Sequence, residues 1–414
     1  MANNFLNTNW VSMEILRLLL NKLEVAEYFN RDWERDFEKE FAPGASITVK
    51  FPQRFTVADG MGYQPQGLNR VSTTVSLDQW IQCAFEWDDY ERAVKLERSE
   101  EELRENYWDP AAAAMSQEFD NRCANFAHQN TSQLAGVLGT DSTSVNNFYL
   151  CRRLLKELAC PPGKRALLLS SSQVQSLGQN ITTIFHPADE LDTLFKEGSL
   201  GKIAGFNVFE SNSLYSHTAG TWSGASGYPK VYGGGQSGTS LTISANVGDT
   251  WNVGDKFSIV NVNRINPMTR RYPGPIAVKT FTVTQALTCV GGNADVINFL
   301  PAIYGPGSQY QNVDNLPANA AAITLFPGTT TPAGLSGTNM LALSRFAFAL
   351  VGAKLYVPKA VESGGQAQDP DTGISVRKVI AWDPVRSVQV NRLDSLMGMG
   401  NLYQDNGAVA LMGA

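Results

Sequence analysis

Histidine is nearly missing from this chain: His128, His186 and His217 are the only three among 414 residues. No two share metal-ligand spacing and none adjoins a plausible nucleophile. His128 follows Phe126-Ala127 on a helical stretch, His186 precedes Pro187, and His217 falls in a polar loop, so structural roles are expected of all three. Paired cysteine spacing is missing too. Cys83, Cys123, Cys151, Cys160 and Cys289 are odd in number and hold no C-x-x-C, which reads as free buried thiols made in a reducing cytoplasm. No basic segment with a cleavage site opens the chain. The longest early apolar run, Ile15 to Leu20, is broken by Arg17 and is too short for a bilayer, so neither a secretory signal nor a membrane contact is expected. A basic surplus is also lacking. Lys and Arg number 33 against 39 Asp and Glu, for a net charge of -6 and a pI near 5.3. That balance excludes a dedicated nucleic-acid binder, which needs cations to neutralise phosphates. Gly233-Gly234-Gly235 has no following Lys-Ser/Thr, and no G-x-S-x-G is present. Asp88-Asp89 is a poor acid–base pair, since adjacent residues on a helix point apart. No catalytic residue, cofactor or metal is assigned.

The remainder is globular in composition, 43% hydrophobic and 17% charged, with a length that suits two or three domains. Met13, Leu16, Leu20 and Leu23 recur at helical spacing between Trp10 and Tyr28. This helix packs either on its own domain or, as an arm, on a partner. Ile47, Val49 and Phe51 alternate, and a glycine-rich stretch from Asp59 to Gly67 follows. Val71 to Trp87 then keeps apolar residues on odd positions for seventeen residues. Unbroken, that is about 55 Å of strand. It either bends near Asp78-Gln79 or belongs to a projecting ribbon, which is marginal in water without a neighbour. Glu86 to Glu105 holds thirteen charged residues in twenty, with a Ser99/Glu102 capping box. Asp109-Pro110 supplies an N-cap and a first-turn proline for a helix to Asn130, whose apolar stripe is Ala111, Met115, Phe119, Cys123, Phe126 and Ala127. Helices are expected at Phe148–Ala159, Ser171–Gln179 and Ala188–Lys196, and strands at Ala166–Leu169 and Ile203–Phe209.

The composition changes at Ser211. Only ten charged residues fall between there and Met340, while turn residues abound. Leu241–Ser244, Lys256–Val262 and Lys279–Thr284 read as strands of a separate β domain, with Arg270-Arg271 as an isolated basic pair in a loop. The earlier character returns at Leu341–Leu350, Asp371–Trp382, Ser387–Leu393 and Val409–Leu411, with Asn406-Gly407 as a hairpin turn. An α/β unit interrupted and then resumed is the pattern of an insertion.

This order of parts resembles the major capsid proteins of tailed bacteriophages with the Hong-Kong-97-type fold, and more narrowly the P-twenty-two-type coat proteins with an inserted β domain. The resemblance rests on Asn30–Phe37, Gly44–Pro52, Tyr107–Ala114, Val253–Phe257, Arg345–Leu350 and Asp371–Val376, taken in order. It departs at Gly44-Ala45-Ser46, where the family usually has a Gly-Asp-Thr turn. It implies an α+β fold: an N-terminal arm over 1–44, an extended β arm over 45–85 and a peripheral domain with a spine helix over 86–139. An axial domain over 140–212 and 341–414 and an inserted β barrel over 213–340 complete it. Asp109, Pro110, Met115, Phe119 and Phe126 would mark the spine helix. The implied role is an icosahedral virion shell of hexamers and pentamers, assembled in the host bacterial cytoplasm. Scaffolding protein and portal would be partners, with a decoration protein as an optional one, and the shell would hold double-stranded DNA by weak non-specific contact. Lys50, Arg54, Asp59 and Arg70 are candidates to pair with Glu86, Asp88, Asp89 and Arg92 of a neighbouring copy, and Arg270 and Arg271 are candidate insertion contacts. The alternatives are an encapsulin-like compartment shell, a carbohydrate-binding β protein and a hydrolase with a hidden site.

Overall fold

A computed structural model describes residues 8–21, 23–30, 46–50, 54–55, 57, 60–63, 65–67, 72–88, 104–181, 201–222, 229–326, 334–358, 361, 363–368, 374–403, 405 and 407–414. Three expectations lie outside these residues: the Ser99/Glu102 capping box, the helix at 188–196 and the side chains of Asp59, Arg70, Asp89 and Arg92. The chain is mixed α+β and mostly strand, and it forms two compact units.

The first unit joins Met1–Val49, Thr73–Cys123 and Phe348–Gly400. Its centre is a six-stranded sheet. Strands β1 (Ser46–Lys50), β2 (Ser72–Asp88), β20 (Val388–Asn401), β19 (Ser375–Asp383) and β18 (Ser363–Gln368) follow in that spatial order, and β17 (Phe348–Ala353) also pairs with β20. Val71 lies outside the described residues, and the rest of the alternating run, Ser72 to Trp87, forms one strand. Its register with β20 slips between Leu77 and Gln79, so a bulge takes up Asp78 at the place where a bend was expected. From Ser76 to Asp88 this strand is paired with β20, so that part is rooted in the sheet.

Helix α1 (Thr8–Asn21) lies on β18 and β19, which settles its partner as its own domain. The buried stripe is Ser12, Ile15, Leu16 and Leu19, while Met13 is 61% exposed, so the face is turned from the one the spacing suggested. Helix α2 (Asp109–Asn130) buries Ala112, Met115, Phe119, Cys123 and Ala127 and leaves Phe126 half-buried. It does not begin afresh at Asp109, because a π-helical turn, Arg104–Trp108, runs straight into it. A turn wider than the α-helix gives the Pro110 ring room among the preceding carbonyls. From the middle of α2, buried Asp120 accepts backbone N–H bonds from Glu24, Val25 and Ala26 at 2.8, 3.0 and 2.9 Å. Burial pushes its carboxyl up to about 6, against the pull of those bonds.

The second unit joins Lys50–Ser72, Ala124–Ala347 and Asn401–Ala414. One of its sheets has seven strands, in the order β3 (Gln133–Gly136), β21 (Ala408–Met412), β16 (Ser336–Ser344), β4 (Arg165–Leu169), β6 (Phe206–Glu210) and β5 (Lys202–Ile203). Strand β7 (Tyr215–Thr218) pairs with a further stretch of β16. The β3–β21 and β4–β6 pairs are parallel and the others antiparallel. Helices α3 (Asn146–Glu157) and α4 (Ser171–Ile181) cover it: Phe148, Cys151, Leu154, Leu155 and Leu177 share a core with Leu167, Phe206, Met340 and Val409. The expected strand at 203–209 is split, because Ala204 and Gly205 turn with φ of +51° and +84°. The strands that the hairpin expected at Asn406-Gly407 was to join, β20 and β21, belong to different sheets and do not pair, and Asn406 itself lies outside the described residues.

The other sheet of this unit has six strands, in the order β15 (Ile323–Leu325), β11 (Lys256–Asn263), β12 (Val278–Val283), β14 (Gly292–Ile303), β9 (Gly238–Ala245) and β8 (Lys230–Val231). A two-stranded ribbon, β10 (Thr250–Trp251) with β13 (Leu287–Thr288), accompanies it. Its two edge strands meet through backbone bonds: Val231 N to Ala321 O at 2.9 Å, Ala320 N to Val231 O at 2.9 Å and Ile323 N to Pro229 O at 3.0 Å. The interior is aromatic. Trp251, Phe257, Phe281 and Phe299 stack edge to face, with the Phe257–Phe299 planes at 85° and centroids 5.7 Å apart.

Gly398 faces Leu77 beside the bulge, and a Cβ there would lie 2.3 Å from the Ser76 carbonyl oxygen. Gly398→Ala should therefore cost about 1–3 kcal/mol through overpacking, read as a lower urea midpoint. Gly67→Ala, where a Cβ meets nothing within 4 Å, should leave the midpoint unchanged.

Candidate functional site

Two features are candidates, one exposed and one buried. The exposed one is the stretch between β1 and β2. Phe55 is 63% exposed, Val57 98%, Met61 107% and Tyr63 91%. Burying such side chains is worth about 1.5–3 kcal/mol each, and four within nine residues make a surface fit for covering. Gly60 holds φ of +113°, a backbone state other residues adopt only at a cost.

The charged residues predicted around this arm have individual placements. Lys50 is exposed at the end of β1. The Arg54 guanidinium lies 5.8 Å from the Tyr310 ring centroid, and the Arg54 carbonyl accepts a 2.7 Å bond from Gln309 Nε2. Glu86, exposed on β2, accepts a 2.8 Å bond from Arg386 within the same chain. Asp88 ends β2 opposite Val388, so the backbone there is extended rather than helical. Arg271 is exposed, whereas Arg270 donates to the Gln309 carbonyl at 2.8 Å.

The buried feature went unread in the sequence. His217 is not in a loop. It sits on β7 opposite Gly337, 4% exposed, and meets fully buried His128 from α2. His128 Nε2 and His217 Nδ1 are 3.1 Å apart, and His217 Nε2 lies 2.8 Å from Asp255 Oδ1. The other carboxylate oxygen, Oδ2, accepts from the backbone N–H of Asn252 at 2.7 Å. On the far side of His128, Nδ1 meets Asn339 Nδ2, and Tyr215 stacks at a centroid distance of 4.8 Å. Gly254, at φ +95°, is obligatory, since a Cβ there would sit 2.0 Å from His128 Nε2.

Lys256 extends the cluster to the end of α2. Its ammonium donates to the carbonyls of His128 (2.9 Å) and Thr131, and to Thr282 Oγ1 at 2.9 Å. Three donors meet three acceptors where a helix leaves carbonyls open and its dipole favours a cation. Burial nonetheless pushes Lys256 down to about 7, with Asp255 opposing. Burial, with Lys256 and His217 nearby, holds His128 well below the ordinary histidine range. The adjoining cavity, about 20 Å3 between Leu134, Val137, His217, Lys256, Phe326 and Met412, has room for about one water and no substrate. Among the described residues no group of three or more His, Cys, Asp or Glu is arranged to hold a metal, and no helix is long and apolar enough to cross a membrane. Cys123, Cys151, Cys160 and Cys289 are buried and Cys83 half-buried, none in a disulfide. The cluster is therefore a structural junction: it ties α2, β7, β11 and β16 together by polar contacts.

Residues 235–404 match the sequence model of the family described as P22 coat protein, gene protein 5. That match spans less than half of the chain and agrees with the resemblance to tailed-phage coat proteins read from the sequence. No curated protein matches it in sequence. Among solved structures it is similar to one from Mycobacterium phage Che8, with 13% identity, 95% of this chain and 92% of the other covered, and a TM-score of 0.49. The capsid of Cyanophage P-SCSP1u gives 12% identity, 90% and 84% coverage and 0.41, and that of Ralstonia phage GP4 gives 7%, 89% and 83%, and 0.41.

Lys256→Met takes the lysine donor from the buried His128 carbonyl and leaves the Thr131 carbonyl with the Thr282 hydroxyl alone, and should cost about 3 kcal/mol at pH 7. The unfolded lysine keeps its proton up to about pH 10.5, whereas the folded one releases it near 7. Between those values the unfolded state binds more protons, so the lysine's contribution to stability rises with pH. The gap between wild type and Lys256→Met should widen from pH 7 to 10 in urea titrations.

Proposed function

We propose that this chain is the major capsid protein of a tailed bacteriophage, and that copies of it close into an icosahedral shell around packaged double-stranded DNA. The coat-protein match over residues 235–404 carries this reading. The exposed apolar stretch of Phe55, Val57, Met61 and Tyr63 supplies a surface for a second copy. A closed shell needs broad, modest, symmetry-related contacts rather than a deep pocket, and the role is structural rather than enzymatic. A cargo-holding compartment is less supported, because the matched family is a coat protein.

The finer parts follow the same reading. Residues 45–85 act as the extended arm, 86–139 as the peripheral domain with α2 as its spine, and 140–212 with 341–414 as the axial domain. Residues 213–340 are the inserted barrel, supported by the backbone bonds that join the edges of the six-stranded sheet. Subunits group as hexamers and pentamers. Scaffolding protein and portal take part in assembly in the bacterial cytoplasm, a decoration protein is an optional addition, and the acidic balance keeps contact with DNA weak and non-specific. Lys50, Arg54, Asp59 and Arg70 pair with Glu86, Asp88, Asp89 and Arg92 of a neighbour, and the exposed Arg271 with Arg270 contributes insertion contacts.

Negative-stain microscopy of the purified protein tests the shell. Closed particles are expected, and discrete small oligomers would reject it. Val57→Ser with Met61→Ser should abolish particles while the circular dichroism melt stays within about 2 °C of wild type, because both side chains already face solvent in the single chain. Arg54→Glu with Arg70→Glu should lower particle yield by disrupting several pairs together, each worth about 0–1 kcal/mol. Normal yield would remove the charge-pairing scheme.

A further inference from the structure

The buried histidine pair reads as a single chain of donors for one orientation of the Asn339 amide. If Asn339 Nδ2 donates to His128 Nδ1, then His128 carries its proton on Nε2 and donates it to His217 Nδ1; His217 in turn carries its proton on Nε2 and donates to Asp255 Oδ1. Every bond then runs the same way, with one proton on each imidazole. Asn339 Oδ1, at the start of the chain, has no hydrogen-bond partner.

We propose that His128 and His217 form an acid-operated latch that absorbs one proton and opens with the second, releasing the Asn252–Asp255 turn from the C-terminal end of α2. The first proton binds His128 Nδ1 once the Asn339 amide turns over and offers Oδ1. The Nε2 proton can then pass to His217 Nδ1, which places the positive charge beside the Asp255 carboxylate. No bond is lost. A second proton leaves both Nε2–H of His128 and Nδ1–H of His217 pointing at each other across 3.1 Å. Two imidazolium rings with centroids 4.5 Å apart would also share a single counter-charge, Asp255, with Lys256 on β11 adding a third cation. Of the other neighbours, Tyr215 on β7 presents a ring face, and Thr282 on β12 and Asn339 on β16 are neutral. Nothing in the cluster can offset the second charge, so separation of the rings is the available response. The depressed affinity of His128 for protons places that opening in acid rather than at neutral pH.

Hydrogen exchange of the full-length protein, corrected for intrinsic rates, tests this between pH 7.5 and 4.5. Protection of residues 215–220 and 252–258 should fall at least ten-fold in wild type across that range. In His217→Gln the amide can still accept from His128 and donate to Asp255 but cannot titrate, so the fall should vanish. An unchanged acid response in that variant would overturn the latch. Should His217→Gln not fold, 13Cε1-histidine spectra of wild type decide. The three histidines give few signals, and the second proton should enter together with loss of protection. Two protonated rings in the presence of full protection at 215–220 and 252–258 would equally overturn it.

Discussion

The carbonyls at the end of a helix must find donors, and in this protein a buried lysine from another element supplies them. Lys256 opens β11, and its ammonium binds the His128 and Thr131 carbonyls. That bond sets where the six-stranded sheet meets α2. The preceding residue, Asp255, is then in place to receive His217, and Gly254 lets the turn pass beside His128. Removing the lysine would leave the other parts with no fixed depth at which to meet. Further ties in the same unit repeat the device. Lys279 reaches Asp405 at 2.6 Å, and Arg264 reaches Glu157 at 2.9 Å. Each joins this sheet region to another part of the unit, so its position is fixed at several points by charged groups that are costly to leave buried without a partner.

A shell subunit divides its surface between what must stay fixed and what must remain available. The buried junction serves the first need and the exposed arm the second. Phe55, Val57, Met61 and Tyr63 project from backbone with no sheet partner of its own, whereas β2 beyond Ser76 is held by β20 along its whole length. In the proposed shell, recognition of other copies would fall on these exposed apolar side chains, while β2 and β20 keep their register.

Local periodicity made much of the fold legible. The alternation from Val71 to Trp87 marked β2 and even its bulge, because the side-chain period of a strand is fixed and an interruption shows. Helix α2, the strands β11 and β12, and the change of composition after Ser211 were readable for the same reason. What could not be read depended on distant pairing. His128 and His217 are 89 positions apart and meet only because β7 joins β16. The turn of α1 that buries Ile15 rather than Met13 depends on where β18 and β19 lie. A lysine at the start of a strand looks like a solvated charge until the helix end opposite it is known. The one available signal was weak: in a segment with ten charges in 130 residues, an adjacent Asp255-Lys256 pair is conspicuous.

The order in which the strands are made has its own consequence. Gln82 of β2 pairs with Asp394 of β20, 312 positions later, and Leu168 of β4 pairs with Leu341 of β16. At roughly 5–20 residues per second of synthesis, β2 waits about 15–60 s for that neighbour. Throughout that interval its edge is an open template to any other nascent strand. The subunit therefore reaches the cell with one edge of its longest strand open, and its yield depends on how well that edge is kept from the wrong company until β20 emerges.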